Sequence, residues 1–211
     1  MTDFDFIIVG AGSAGSALAS RLSEDPLKNI LLLEAGGADS HPWVRIPMGY
    51  GKVFYDERVN WKYTTEPNEH LDGNRVYWPR GKVLGGSSSI NALVYVRGHP
   101  QDYDDWATDA PGWSWADVKH IFKRMETWQG APSADRGTNG PLTVRDITSD
   151  AHPLSIRYLQ AAKQAGFAIN SDYNSGDMEG AALYQITTKN GVRASAAQAY
   201  IRPIKHRRNL T

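Results

Sequence analysis

The sequence predicts an α/β protein whose first domain is organised around a parallel β-sheet with packed helices. An apolar run at residues 4–9 is followed by GAGSAG at 10–15 and by a small-residue helix at 16–22. A second apolar strand, 29–33, ends in Glu34. This order of strand, glycine turn, helix, strand and terminal acid is typical of a Rossmann-like dinucleotide-binding unit.

The three glycines of the turn have separate physical roles. Gly10 permits the tight turn after the strand, Gly12 lets the backbone approach a pyrophosphate, and Gly15 lets the helix pack closely on the strand. The helix N-terminus presents free amides and the positive end of its dipole to the phosphates. Glu34 can accept hydrogen bonds from both ribose hydroxyls and would repel a 2′-phosphate. This segment alone leaves nicotinamide and flavin cofactors both open.

A second glycine-rich loop, at residues 79–91, favours a flavin over a nicotinamide. It supplies flexible backbone, amide donors, hydroxyls and two cations, from Arg80, Gly81, Lys82, Gly85, Gly86, Ser87, Ser88 and Ser89. These groups suit an anionic cofactor. Asn91 adds an amide that can both donate and accept hydrogen bonds. Taken by itself, the loop is equally compatible with a flexible surface segment carrying two solvated cations.

Residues 79–106, with the first glycine loop and the sequence EAG at 34–36, resemble the N-terminal part of the glucose-methanol-choline (GMC) family of flavin oxidoreductases. The run GKVLGGSSSIN at 81–91, continued by YVRG at 95–98 and DYDDW at 102–106, is similar to that family's first signature. The bacterial choline dehydrogenase-like and alcohol dehydrogenase-like members are the most similar, over essentially the whole chain. The resemblance implies a Rossmann-like FAD-binding domain with an inserted α+β substrate domain.

The resemblance implies FAD as the cofactor and places the pyrophosphate on the first glycine loop, the adenosine ribose on Glu34 and the isoalloxazine ring near residues 92–94. The implied FAD-binding residues are Gly10, Gly12, Ser13, Ala14, Gly15, Glu34, Ala35, Arg80, Val83, Gly85, Gly86, Ser88, Asn91, Ala92, Leu93 and Val94. Some members attach the flavin covalently through a histidine just before the asparagine that Asn91 matches. Ile90 stands there in this chain, so we expect non-covalent FAD.

Family members are well over twice as long as this chain of 211 residues. The resemblance assigns 1–140 to the FAD-binding domain with its lid and signature loop, 141–190 to the start of the substrate domain, and 191–211 to the return into the FAD-binding domain. We therefore expect a fragment truncated at the C-terminus, which ends as a charged turn leads into an apolar strand. Because the family's catalytic histidine comes from the part that follows, we expect no catalytic residue within this chain.

Composition narrows the classes of partner and location. The formal net charge is zero, so the composition gives no broad attraction to nucleic acid or to an anionic membrane. The absence of cysteine excludes disulfides, cysteine-ligated metal and a cysteinyl flavin link. No apolar run approaches the length of a membrane span, and the first residues lack the pattern of a signal peptide. We therefore expect a cytoplasmic protein, although a peripheral membrane association stays open.

The rest of the chain predicts short elements with irregular connections. The expected helices are 101–109, one that begins after Ser114, 152–165 and 196–200. The expected strands are 142–144 and 182–188, and the second leads into a turn at 189–191. The aromatic-rich connection 36–80 is either part of a flavin lid or surface packing, with similar weight. We expect the six histidines to be structural or exposed, without a metal site, because none has a ligand-pair spacing.

The resemblance implies that the complete protein oxidises a small-molecule alcohol to the aldehyde by hydride transfer to flavin N5. One alternative is a flavin-binding or merely structural fragment without turnover, which would pair with the remainder of the enzyme. Another is the same fold used for lyase or decarboxylase chemistry. The electron acceptor, whether oxygen or another oxidant, is not encoded in these residues.

Overall fold

The computed structural model describes residues 3–211, which form two compact units. The first unit comprises the residues up to Leu93 together with Thr188–Thr211, and the second is Val94–Thr187. The second unit is thus an insertion in the sequence of the first, and the predicted α/β class is confirmed. Within residues 3–211, no helix combines the length and apolar character needed to cross a bilayer.

The first unit contains the predicted parallel strands. β1 (Phe6–Val9) pairs in parallel with β2 (Ile30–Leu33), with Phe6 opposite Ile30. The end of the chain runs along the other edge of β2, because the Leu32 amide donates to the Thr211 carbonyl at 2.8 Å and Leu210 bridges Ile30 in parallel. The apolar strand expected after the charged turn therefore begins here.

Helix α1 (Ser13–Leu22) packs on these strands and begins three residues before the predicted start. Ala19 is fully buried against Ile8 and Ile30, and this core is completed by Leu22, Leu32, Ile201 and Leu210. The small residues on the buried side of α1 allow the helix backbone to approach the strands closely. The glycine turn is held between two rigid elements as a result.

The connection 36–80 folds around a second apolar core of the first unit. This core consists of Val44, Val53, Val59, Val83 and Ile90. Around it lie α2 (Pro42–Arg45), α3 (Tyr50–Val53), the antiparallel strands β3 (Tyr63–Thr64) and β4 (Tyr77–Trp78), and 3₁₀ turns at Pro47–Gly49, Glu69–Leu71 and Gly86–Ser89. The connection therefore contains both core residues and exposed aromatic residues, and its role as a flavin lid stays a prediction.

The last part of the chain returns to the first unit through a tight hairpin. β7 (Thr188–Lys189) and β8 (Val192–Arg193) pair in antiparallel fashion across the predicted turn. Asn190 and Gly191 both have positive φ, 51° and 75°, the conformation that an Asn-Gly hairpin turn requires. The helix predicted at 196–200 is a π-helix, Ala197–Ile201, followed by a 3₁₀ turn at Arg202–Ile204.

The second unit contains three helices predicted from the sequence: α4 (Pro100–Ala107), α5 (Trp115–Met125) and α6 (Pro153–Gln164). Ser114 caps α5 and forms a capping box with Asp117, which explains where this helix begins. The parallel strands β5 (Glu126–Gln129) and β6 (Leu142–Arg145) follow, with a 3₁₀ turn at Thr148–Asp150. β5 was missed because it continues directly from α5 without a turn signal.

The prediction of a strand at 182–188 is wrong. Ile186 makes isolated bridges to Val94 and to Arg145, and the neighbouring residues form no continuous ladder. Gln185 is buried, and its side chain is hydrogen-bonded to Arg136 and Asn174. Because polar side-chain bonds and single bridges hold this segment, its alternating sequence does not produce an extended strand.

A buried ion network lies at the centre of the second unit. Glu126 is fully buried and forms ion pairs with Arg97 and with Arg136. It also accepts a hydrogen bond from the Gly137 amide at 2.9 Å, and Arg136 reaches Asp172 at 2.8 Å. The two cations and two carboxylates balance in charge, which makes burial of the network possible.

Candidate functional site

The first glycine loop connects β1 to α1 and contacts the end of β2. Gly10 has φ of 93°, a left-handed conformation that side chains disfavour, and its amide donates to the Leu33 carbonyl at 2.7 Å. Gly12 is the N-cap of α1 without a side-chain cap, so the first amides of the helix, including those of Ser13 and Ala14, have no capping side chain. A Cβ on Gly10 or Gly12 would meet no atom within 4 Å. The loop is therefore open to a ligand.

Gly15 has a packing role within the same loop. A Cβ at this position would collide with the Gly10 carbonyl and would lie 3.3 Å from a methyl group of Ile8. The absence of a side chain lets α1 sit directly against the glycine turn. Gly15 thus has the packing role that the sequence predicted, and ligand access at Gly12 stays a prediction.

Glu34 ties this loop to the end of β2. Its two carboxylate oxygens accept hydrogen bonds from the Ala11 and Gly36 amides, each at 2.9 Å. Each carboxylate oxygen has a second acceptor site, so the side chain can still receive a hydroxyl donor. Glu34 therefore holds the glycine loop in place and keeps acceptor capacity towards the adjacent cleft.

Replacing Glu34 by glutamine is expected to weaken FAD binding at least about tenfold, because one backbone amide loses its charged acceptor and the ribose loses a carboxylate. The exposed Glu66, replaced by glutamine, provides a matched control. Fluorescence titration with FAD measures both variants. Wild-type affinity for the Glu34→Gln variant would rule out the ribose assignment.

The second glycine loop touches the first. The Gly85 amide donates to the Ala11 carbonyl at 2.8 Å, and a Cβ on Gly86 would lie 2.7 Å from the Gly12 Cα. Gly85 and Gly86 also have positive φ, 90° and 56°. The contact needs glycine at position 86, and through it the two predicted loops form one structural unit.

The serines of the second loop brace its backbone. The Ser88 hydroxyl donates to the Gly85 carbonyl at 2.6 Å and accepts from the Ala196 amide at 2.9 Å. Ser87 accepts from the Gly81 amide, and Ser89 donates to the Leu84 carbonyl. The hydroxyls, which the sequence suggested for a cofactor, are used here to shape the loop.

A cleft of about 590 Å³ opens beside the two loops. Its lining includes six predicted residues: Gly10, Gly12, Glu34, Ala35, Arg80 and Gly86. Val9, Leu33, Trp61, Tyr63, Gly81 and Ser87 complete it and were not among the predicted binding residues. The two aromatic residues come from the connection 36–80. The many tryptophans and tyrosines of this connection are the sequence feature that could have identified them. The volume is in the range typical of small-molecule sites.

Trp61, Tyr63 and Arg80 form an aromatic and cationic wall of this cleft, and Lys82 and Trp78 lie behind them, outside the lining. Trp61 and Tyr63 stack with ring centroids 5.8 Å apart, and the Lys82 ammonium lies 4.7 Å from the Trp61 centroid. The Arg80 guanidinium lies 4.8 Å from the Trp78 ring. This wall combines positive charge with flat apolar surface, as an anionic ligand with planar rings would require.

The remaining predicted residues lie outside the cleft lining. Ser13, Ala14, Gly15, Gly85 and Ser88 belong to the backbone of the two loops, and Asn91, Ala92, Leu93 and Val94 follow the second loop. Val83 is only 1% exposed and its side chain lies in the core, so only its backbone could face a ligand. Leu93 is buried with φ of 67°, a strained conformation for a leucine at this predicted site.

Three of the six histidines have structural roles that the sequence did not reveal. His41, His99 and His152 each precede a proline-started helix, and each accepts a backbone hydrogen bond through its ring as the N-cap. Within residues 3–211, no group of three or more acidic or histidine side chains is arranged to hold a metal ion.

Comparison with known proteins identifies the family to which this sequence is similar. The family model for GMC oxidoreductases matches residues 4–211. The chain is 49% identical over 208 residues to an oxygen-dependent choline dehydrogenase of Rhizobium rhizogenes, and 44% identical over 210 residues to an alcohol dehydrogenase [acceptor] of Pseudomonas putida. Each match covers 98% of this chain but 38% of the relative.

A solved structure has the same fold. Pyridoxine 4-oxidase from Mesorbium loti superposes with a TM-score of 0.93 at 33% identity, over 99% of this chain and 42% of that protein. The described residues thus correspond to less than half of each of these proteins.

Proposed function

Because the chain belongs to the GMC oxidoreductase family, whose members are FAD-dependent, we propose that it forms the FAD-binding part of an enzyme that oxidises an alcohol to the aldehyde. The observation that carries this proposal is the direct contact between the two glycine loops beside a cleft. That contact requires glycine at Gly86, where a Cβ would lie 2.7 Å from the Gly12 Cα. A surface segment with solvated cations would have no such requirement.

The residues present fit FAD in chemical type. The open backbone at Gly10 and Gly12 and the first-turn amides of Ser13, Ala14 and Gly15 suit the pyrophosphate. We assign the adenosine ribose to Glu34 and Ala35, and the rest of the cofactor to Arg80, Val83, Gly85, Gly86, Ser88 and Asn91, with Ala92, Leu93 and Val94 near the ring.

Bound FAD supplies a hydride acceptor, N5, for the alcohol carbon. This chain's residues would bind and orient the cofactor through oriented amides and fixed charges. The hydroxyl proton needs a base, which we assign to a histidine beyond these 211 residues. The names of the relatives favour choline or another small alcohol as substrate. The same names differ in the oxidant, which is oxygen for the choline dehydrogenase and an unspecified acceptor for the alcohol dehydrogenase.

The functional division into 1–140, 141–190 and 191–211 stays a prediction, as does a cytoplasmic location.

We also propose that the remainder of the enzyme pairs with this chain. Ile7 and Val9, on β1, are 62% and 84% exposed. Apolar strand residues left this open favour contact with another part of the protein.

We expect the flavin to be held without a covalent bond. Ile90, which occupies the position of the covalent histidine of some relatives, is 1% exposed and packs in the apolar core. Acid precipitation of the complete protein should therefore release all flavin absorbance into the supernatant. Flavin that stays with the denatured polypeptide would contradict this expectation.

The activity is tested on the complete protein under anaerobic conditions. Addition of choline, or of a series of primary alcohols, should bleach the oxidised flavin spectrum with formation of one aldehyde per flavin reduced. A protein that binds FAD but is not bleached by any alcohol would contradict the proposed reaction. Absence of bound FAD would contradict the cofactor assignment itself.

A further inference from the structure

Arg193, on β8, is a buried cation in contact with the second glycine loop. It is 2% exposed. Its Nε donates to the Val44 carbonyl at 2.9 Å, and its Nη1 donates to the Ser88 carbonyl at 3.2 Å and to Asn91 Oδ1 at 2.8 Å. Burial lowers the pKa of Arg193 to about 10, which leaves the side chain charged at neutral pH.

No carboxylate among residues 3–211 forms an ion pair with Arg193. Its Nη2 is buried and has no hydrogen-bond partner within the described residues. Leaving a charged donor unpaired in the interior is costly. Because Nη2 is closed off from solvent, a ligand cannot reach it directly. The cation can act on a ligand only through the groups it contacts and through its field.

The contact with Arg193 determines how the Asn91 carboxamide is oriented. Oδ1 accepts hydrogen bonds from the Leu93 amide at 3.0 Å and from Arg193 Nη1 at 2.8 Å. Both of its lone pairs are thereby used. A guanidinium can only donate, so the oxygen and not the nitrogen of the amide must face it. Within residues 3–211, Asn91 Nδ2 has no recorded acceptor, and the residue is exposed.

We propose that Arg193 is a positioning residue that fixes Asn91 as a hydrogen-bond donor towards the flavin. The inference rests on the proposed function, which assigns Asn91 to the cofactor. The sequence alone left this amide able to donate or to accept; the two bonds to Oδ1 leave only the donor side free. The nearby positive charge polarises the amide and makes Nδ2 a stronger donor.

The same arrangement affects the redox equilibrium of the bound cofactor. Reduction increases the electron density on the acceptor atoms of the ring system. A strengthened donor and an unpaired buried cation both favour the more negative form. Arg193 should therefore raise the reduction potential of the flavin as well as its affinity. A residue that only stabilised the fold would leave the potential unchanged.

The test uses the complete protein with FAD and measures the dissociation constant, the reduction potential and the thermal midpoint. Arg193→Met should weaken FAD binding at least about tenfold and make the potential more negative. Arg193→Lys keeps the charge and should shift the potential less. Arg58→Met removes an exposed arginine paired with Asp56 and should match the wild type in all three measurements.

Asn91→Asp removes the N–H donor while the carboxylate keeps the bonds from Leu93 and Arg193, and its added negative charge acts on the potential in the same direction as loss of the donor. The proposal expects at least about tenfold weaker binding and a more negative potential in this variant as well. Wild-type binding and potential in Asn91→Asp would overturn it even if Arg193→Met does not fold. So would a folded Arg193→Met variant with an unchanged potential. A wild-type protein without FAD would instead overturn the proposed function.

Discussion

Glu126→Gln is expected to lower the free energy of unfolding by about 3–5 kcal/mol, because it leaves buried cations without their carboxylate. Glu126 is fully buried and takes four hydrogen bonds, from Arg97 Nη2, from Arg136 Nε and Nη2, and from the Gly137 amide. Glutamine has nearly the same volume but only one acceptor oxygen and no charge. Arg136 would then keep Asp172 as its carboxylate partner, and Arg97 would keep only the Asp135 and Asn174 carbonyls.

Denaturant unfolding measures this loss. Glu24→Gln is the control, because Glu24 forms an exposed ion pair with Arg21 at 2.9 Å, a type of pair that contributes less than about 1 kcal/mol. The two variants remove the same charge from the chain and differ in burial. A loss below about 1 kcal/mol for Glu126→Gln would show that the network is not held together by its charges.

The second large effect concerns the first glycine loop, where substitution of Gly15 should lower stability and substitution of Gly12 should weaken FAD binding. Gly15→Ala should destabilise the fold by about 1–3 kcal/mol or more, because the new methyl group collides with the Gly10 carbonyl. Gly12→Ala adds its methyl group where no atom lies within 4 Å. It should cost less than about 1 kcal/mol in stability, yet it obstructs the approach of the pyrophosphate to the backbone.

We therefore expect Gly12→Ala to unfold nearly as the wild type does while FAD binding falls at least about tenfold. Each variant controls for the other, since both add one methyl group within the same loop. Thermal unfolding without cofactor and FAD titration give the two quantities. Unchanged FAD affinity in Gly12→Ala, or unchanged stability in Gly15→Ala, would contradict the division of roles.

Features made by neighbouring residues could be predicted from the sequence. The strand, glycine turn and helix from Phe6 to Leu22 follow from local hydrophobic pattern and backbone freedom. The Asn190–Gly191 turn was predicted for the same reason. The capping box at Ser114 shows the same local control. In each of these cases the interactions that stabilise the element lie within a few residues of it.

Features made by distant residues could not be predicted in this way. The failed strand at 182–188 depends on bonds from Gln185 and Ile186 to residues 40 to 90 positions earlier, such as Tyr95 and Arg145. Glu126 gave no sign of burial, since its partners come from separate segments. A carboxylate beside a predicted helix surface would normally be assigned to solvent.

The sequence by itself determined that this chain has a dinucleotide-type βαβ unit and a second glycine loop, because spacing and residue type specify local backbone geometry. Only the tertiary structure decided that Gly86 meets Gly12, that Trp61 and Tyr63 line the cleft, and that Arg193 holds the oxygen of Asn91. The two pairwise contacts join positions 74 and 102 residues apart, and the aromatic side chains come from an irregular connection; no local preference encodes such pairings.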